Sequence, residues 1–161
     1  MNLSAAHKAT LRAHILGTPE LLGTVQNKDQ AFVVEDWANR PAVPTVWVWD
    51  DTVSVPEVEK VFVWAEWENI SETKQAVWRD MTRHGTIDAS DARVRDGIAV
   101  AFATAPQTYA AVIAACSVPA TNAEALIAAG GTGVKSAPRT VDMGRGKLTA
   151  DEIVAPDFMG W

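Results

Sequence analysis

The chain predicts a mainly α fold: a single mostly helical domain over residues 1–154, with a short strand near 45–49, a hairpin near 139–148 and an extended C-terminal arm over 155–161. Three observations predict it. Apolar residues recur at helical spacing through most of the chain, while Ser, Thr and Asp stand where helices need caps. Pro and Gly interrupt the apolar stretches at short intervals. Alternation with period two, the mark of a strand, is clearest in TVWVW, Thr45–Trp49, where Trp47 and Trp49 share one face and Val46 and Val48 the other.

Leu3, Leu11 and Ile15 define a first amphipathic helix from about Ser4 to Leu16, which Gly17 is placed to end. Thr18 then caps a second helix with Pro19 at its first position and Glu20 in its first turn. A third runs over about Asp29–Asn39, with Phe32, Val33 and Trp37 on one face, and RPAVP stops it because proline cannot donate a helical hydrogen bond. After the strand, Ser54 and Pro56 open a helix whose buried stripe is Val58, Val61, Phe62 and Ala65. Ser71 caps the next, to about Arg83, carrying Val77, Trp78 and Met81, with Gly85 as a left-handed stop. Asp88 and Asp91 have capping-box spacing before a helix that bears Ile98, Ala99 and Phe102 and ends before Pro106. Helices over about Gln107–Ala115 and Ala120–Ala129 follow, the second with Thr121 and Glu124 as a capping box and Gly130-Gly131 as its end. PRTVDMGRGKLT reads as two short strands around a glycine turn, and Thr149 with Glu152 caps a last helical turn.

Composition excludes several function classes. The 161 residues carry a formal charge of −6 with Lys and Arg scattered, which argues against nonspecific DNA binding, since neutralising phosphates takes a concentrated basic patch. The N-terminus is neither a signal peptide nor an anchor in pattern, and no stretch approaches the ~20 apolar residues of a membrane span. One cysteine, Cys116, lies in the apolar run YAAVIAACSV and reads as a small buried hydrophobe in a reducing compartment.

A search for chemistry returns little. Gly130, Gly131, Gly133, Lys135 and Ser136 crowd together like a phosphate-binding loop, but Val134 precedes the lysine where glycine is required, and a helix rather than a strand leads in. His7, His14 and His84 lack the local spacing of a zinc site, and Asp88, Asp91 and Asp96 lack the alternating ligands of a calcium loop. Glu66/Glu68 and Asp50/Asp51 are the carboxylate pairs open to acid–base work. No nucleophile elbow is present. The expectation is a non-enzymatic protein with no catalytic residue, no cofactor, no metal, no small-molecule substrate, no specific nucleic-acid binding and no membrane partner.

Weight therefore falls on the aromatics. Seven tryptophans, Trp37, Trp47, Trp49, Trp64, Trp67, Trp78 and Trp161, exceed what one small core readily takes in with every indole N–H satisfied. Tryptophan is also enriched at binding hot spots. Trp64 and Trp67 share a helical face. The expected interface residues are Trp47, Trp49, Trp64 and Trp67, with Phe158, Met159 and Trp161 of the arm APDFMGW.

Two stretches, VWVWDDTVSVPEV and ATNAEALIAAGGTGVKSAPRTVDMGRGKLTADEIV, resemble a group of small structural proteins of tailed bacteriophages, and the first helix followed by GTPEL is similar in kind. Where that group carries a more basic segment, this chain has ACSVPA. The resemblance implies a virion structural protein synthesised in the bacterial host cytoplasm: a head–tail connector or viral tail component that forms a homo-oligomeric ring and docks on other virion proteins. A capsid-decorating or assembly-helper binding domain is the alternative it leaves open.

Overall fold

The computed structural model describes residues 3–25, 31–141, 146–154 and Phe158. The fold is mainly α: helices α1 to α10 with two small two-stranded sheets among the described residues. These residues sort into two compact units, each assembled from separate stretches, where the sequence predicts one helical body. The chain passes between the units at residues 46/47, 118/119, 129/130 and 140/141, and none of these crossings carries the polar, low-complexity composition by which a linker is recognised.

The first unit comprises Met1–Val46, Pro119–Ala129 and Val141–Trp161. Helix α1, Ala5–Gly17, is capped by Ser4, whose hydroxyl accepts the His7 N–H at 3.2 Å, and it buries Leu11 and Ile15 completely. Gly17 is its last residue, and Thr18 follows as the C-cap at φ −107° and ψ 107°, because Pro19 disfavours helical backbone in the residue before it. The Thr18 carbonyl then accepts the Leu21 and Leu22 N–H groups that open α2, Pro19–Val25.

Helix α3, Ala31–Asn39, turns a different face inward from the one hydropathy selects. Ala31, Val34 and Ala38 are buried, whereas Phe32 is 61% exposed and Val33 and Trp37 are half-buried. The helix packs against α2, against α9, Asn122–Ile127, and against α10, Ala150–Val154. Small residues let backbones come close, so the narrow face wins over the bulky one.

Side chains secure these contacts. The Asn39 amide donates to the Leu148 carbonyl at 2.7 Å and accepts the Leu148 N–H at 2.9 Å, and Glu35 accepts the Ala150 N–H at 3.0 Å. Two of the three expected capping boxes are present, both of them in this unit. Thr121 and Glu124 cap α9, with the Glu124 carboxylate accepting the Thr121 N–H at 2.8 Å, and Thr149 and Glu152 cap α10 with the same 2.8 Å bond.

The second unit comprises Trp47–Val118 and Gly130–Thr140. Strand β1, Trp47–Trp49, is the predicted strand, and it pairs with β4, Ser117–Pro119, whose first two residues belong to this unit. Strands β2, Val53–Ser54, and β3, Thr86–Ile87, pair antiparallel with Val53 opposite Ile87. Between them run α4, Val55–Glu59; α5, Trp64–Trp67; and α6, Glu72–Thr82. Helices α7, Ala92–Ala101, and α8, Pro106–Ala115, follow.

Four local expectations are corrected here. The helix predicted from Ser54 onward is two, because the Val61-Phe62-Val63 run, rich in β-branched residues, leaves helix, and the extended Val63 gives its N–H to the Thr108 hydroxyl at 3.2 Å. Periodicity restarts at Trp64, so Val58 and Phe62 are buried while Val61 and Ala65 are exposed. Asp91 alone caps α7, accepting the Arg93 N–H at 2.8 Å, while Asp88 holds the preceding turn through the Ser90 N–H at 2.9 Å; Ala99 on that helix is exposed. The predicted hairpin near 139–148 has its turn, 142–145, outside the described residues; Arg139 bridges Val48 in parallel, and residues 146–149 form no strand. Gly85 is left-handed as predicted, at φ 79°.

Candidate interaction surface

Phe62 is the centre of the second unit's aromatic packing. Its ring lies 5.4 Å from Trp78, 5.2 Å from Phe102, 5.1 Å from Trp67 and 5.7 Å from Trp64. Trp78 and Phe102 are buried at 1% exposure each, with rings edge-on at 5.2 Å, and the Trp78 indole N–H donates to Glu59 at 3.2 Å. Exposure rises outward through this cluster. Trp67 is half-buried, its ring 6.0 Å from Phe102, and Trp64 is 56% exposed. Phe102 also floors a shallow recess of about 280 Å³ whose walls are Ala99, Ala103, Pro106 and Tyr109.

The other expected interface residues sit differently. Trp49 is 9% exposed and belongs to the core, with the Arg95 guanidinium 5.4 Å from its ring centroid; Val48, on the opposite strand face, is fully buried. Both faces of the strand are thus covered within the chain at this point, which corrects Trp49 as an interface residue. Trp47 is half-buried with the Lys135 ammonium 4.9 Å over its ring, so the lysine that resembled a phosphate-loop residue faces an indole. Phe158 is 2% exposed and lines a recess with Ala5, Ala9 and Leu16 of α1, which corrects its expected exposure. Met159 and Trp161, with the rest of the arm except Phe158, lie outside the described residues.

In the first unit, His14 stacks on Trp37 at 5.0 Å and 18°, beside a recess of about 340 Å³ bounded also by Val43, Pro44, Val46 and Leu126. No group of three or more metal-ligating side chains occurs among the described residues, and no described helix is long and apolar enough to cross a membrane.

Of the titratable groups, Cys116 is fully buried, and burial, reinforced by the Asp50 charge, pushes its thiol up to about 12. It is protonated at neutral pH and packs as a hydrophobe. Glu66 and Glu68 do not act as a pair. The Glu66 carboxylate accepts the Thr108 N–H at 2.7 Å and the Gln107 N–H at 3.2 Å, filling the N-terminus of α8, while Glu68 is the exposed C-cap of α5. Desolvation pulls the Glu66 pKa upward, and the bonds from Thr108 and Gln107 outweigh it, so the net shift is downward.

A folded-state pKa below the unfolded one means that Glu66 contributes stability above the ordinary carboxylate range and loses it as pH falls through the folded value. The stability gap between the native chain and Glu66→Gln is therefore expected to be full at pH 7 and to close on acidification. Urea titrations of both proteins between pH 7 and pH 3 check this; a gap constant across that window would refute it.

Sequence reasoning misses the recess and the role of Glu66. Two signals exist for the recess: Ala99 in the last turn of α7 and Ala103 in the turn just beyond it are four apart, and Pro106 and Tyr109 are three apart at the start of α8. That α7 and α8 bring these pairs together over Phe102 is a tertiary fact. No family model matches the chain, and no curated protein or solved structure matches it either.

Proposed function

We propose that the chain is a non-enzymatic structural protein of a bacteriophage particle, a head–tail connector or tail component that oligomerises into a ring and docks on neighbouring virion proteins. The observation that carries the docking role is Trp64, 56% exposed on a short helix and backed by the Phe62–Trp67–Phe102 cluster. An indole held at the surface by buried rings loses little entropy when a partner covers it, and large aromatic side chains dominate interface energetics. The particle context is what the resemblance of the VWVWDDTVSVPEV and ATNAEALIAAGG stretches implies.

The test is complementation of a phage lacking the gene, followed by mass spectrometry of purified particles. The native chain is expected in mature particles, and Trp64→Ala is expected to reduce its incorporation at least about tenfold while lowering stability by no more than about 1.5 kcal/mol, the worth of its one ring contact with Phe62. Absence of the native chain from mature particles would reject the proposal.

A further inference from the structure

We infer that the Trp64 surface of the second unit docks a basic amphipathic helical segment of another protein, its apolar stripe seated on Trp64, Trp67 and the Phe102 recess and its cations facing Glu68 and Asp96. The inference rests on the docking role proposed above and names the partner's chemistry.

Two features of the surface select that occupant. The first is apolar continuity. Trp64 and Trp67 share α5, Trp67 lies 6.0 Å from Phe102, and Phe102 floors the recess whose rim includes Pro106 and Tyr109, the latter 36% exposed. Val100, next in sequence to the recess residue Ala99 on α7, is 53% exposed. A helix presenting residues at i, i+3, i+4 and i+7 offers a matching stripe.

The second is charge. Between Val55 and Glu72 the chain carries five glutamates against Lys60 alone; Glu57 pairs with Lys60, Glu59 accepts the Trp78 indole N–H and Glu66 fills the N-terminus of α8, while Glu68 and Glu72 are exposed. Glu68 follows Trp64 by one helical turn, with its N–H bonded to the Trp64 carbonyl at 2.9 Å, and Asp96 precedes Ala99 and Val100 on α7. The α7 cations are turned to other work: Arg93 pairs with Asp91, and Arg95 donates to the Ala89 and Ser90 carbonyls. An apolar surface edged by carboxylates favours lysine and arginine on the incoming helix and repels an acidic one.

The test uses the full chain and a labelled helical peptide of about 18 residues, with leucines at i, i+3, i+4 and i+7 and lysines flanking them. Fluorescence anisotropy is expected to show saturable binding that weakens with salt. Trp64→Ser should weaken it at least about tenfold, the Glu68→Lys, Asp96→Lys double variant similarly, and the same peptide with glutamate for lysine should not bind. Three results would each overturn the inference: no binding of the lysine peptide, equal binding of the glutamate peptide, or unchanged affinity in the Trp64 variant. Sedimentation of the chain alone supplies a fourth, since a dimer abolished by Trp64→Ser would make a second copy the occupant. A chain found in particles that ignores the lysine peptide sinks this inference alone; Trp64-dependent peptide binding by a chain absent from particles sinks the particle reading alone.

Discussion

Trp78→Ala is expected to lower the unfolding free energy by about 3–5 kcal/mol, the range for removing a large aromatic from a packed core. Trp78 is 1% exposed and its ring meets both Phe62 and Phe102 edge-on, at 5.4 and 5.2 Å, so truncation removes two ring contacts and leaves a void among side chains that are themselves anchored. It also strands Glu59, which accepts the indole N–H at 3.2 Å. Trp78→Phe separates the two contributions. Phenylalanine keeps most of the packing and loses the hydrogen bond, so its cost should be less than half that of alanine. Urea denaturation followed by far-UV circular dichroism measures both. A loss below about 1 kcal/mol for the alanine variant would mean that the aromatic cluster does not organise this unit.

The second large effect belongs to Gly131. Its φ of 62° lies in the left-handed region, and a Cβ there would run into the Pro138 carbonyl oxygen and stand 2.8 Å from that of Ala137. Both obstacles are backbone, and they cannot rotate away. The Ala137 carbonyl is already fixed by the Thr132 and Gly133 N–H groups, each at 3.1 Å, and the loop is tied to β1 through the Trp47 N–H to Gly133 carbonyl bond at 2.8 Å.

Gly131→Ala is therefore expected to cost at least about 2 kcal/mol, combining left-handed strain with displacement of the loop from β1. Gly85→Ala is the internal control. Gly85 has φ 79°, but a Cβ added there would meet nothing within 4 Å, so only the conformational cost of about 1 kcal/mol applies. Thermal unfolding of the two variants side by side decides the matter: equal losses would show that the close approach to Pro138 and Ala137 carries no energy of its own.

Local chemistry is legible wherever a few neighbouring residues decide the outcome. Thr121 with Glu124 and Thr149 with Glu152 cap the helices that their spacing indicates, because a capping bond closes within three residues and needs no distant partner, whereas Ser54 and Ser71 stand at the expected N-cap positions without making a side-chain capping bond. Gly85 takes the left-handed turn for the same reason. Burial in α3 is not legible in this way, because hydropathy ranks Phe32 and Trp37 above Ala31 and Ala38, whereas packing against α2, α9 and α10 rewards the small face that lets the backbones approach. At the break between α4 and α5 the freed Val63 N–H is taken up by a Thr108 hydroxyl 45 residues away.

The tryptophans divide along the same line. Their number and the Trp64–Trp67 spacing are properties of the sequence, and they point to a surface as well as a core. Which ring goes where is decided by tertiary structure: Phe62 sits where four other rings converge, so Trp78 is enclosed, Trp67 is half-covered and Trp64 is left 56% exposed, while Trp49 is taken into the core beneath Arg95. A pattern of spacing fixes the side of a helix or strand on which a residue lies. Only the packing of α7 and α8 against that side determines how much of it remains for a partner.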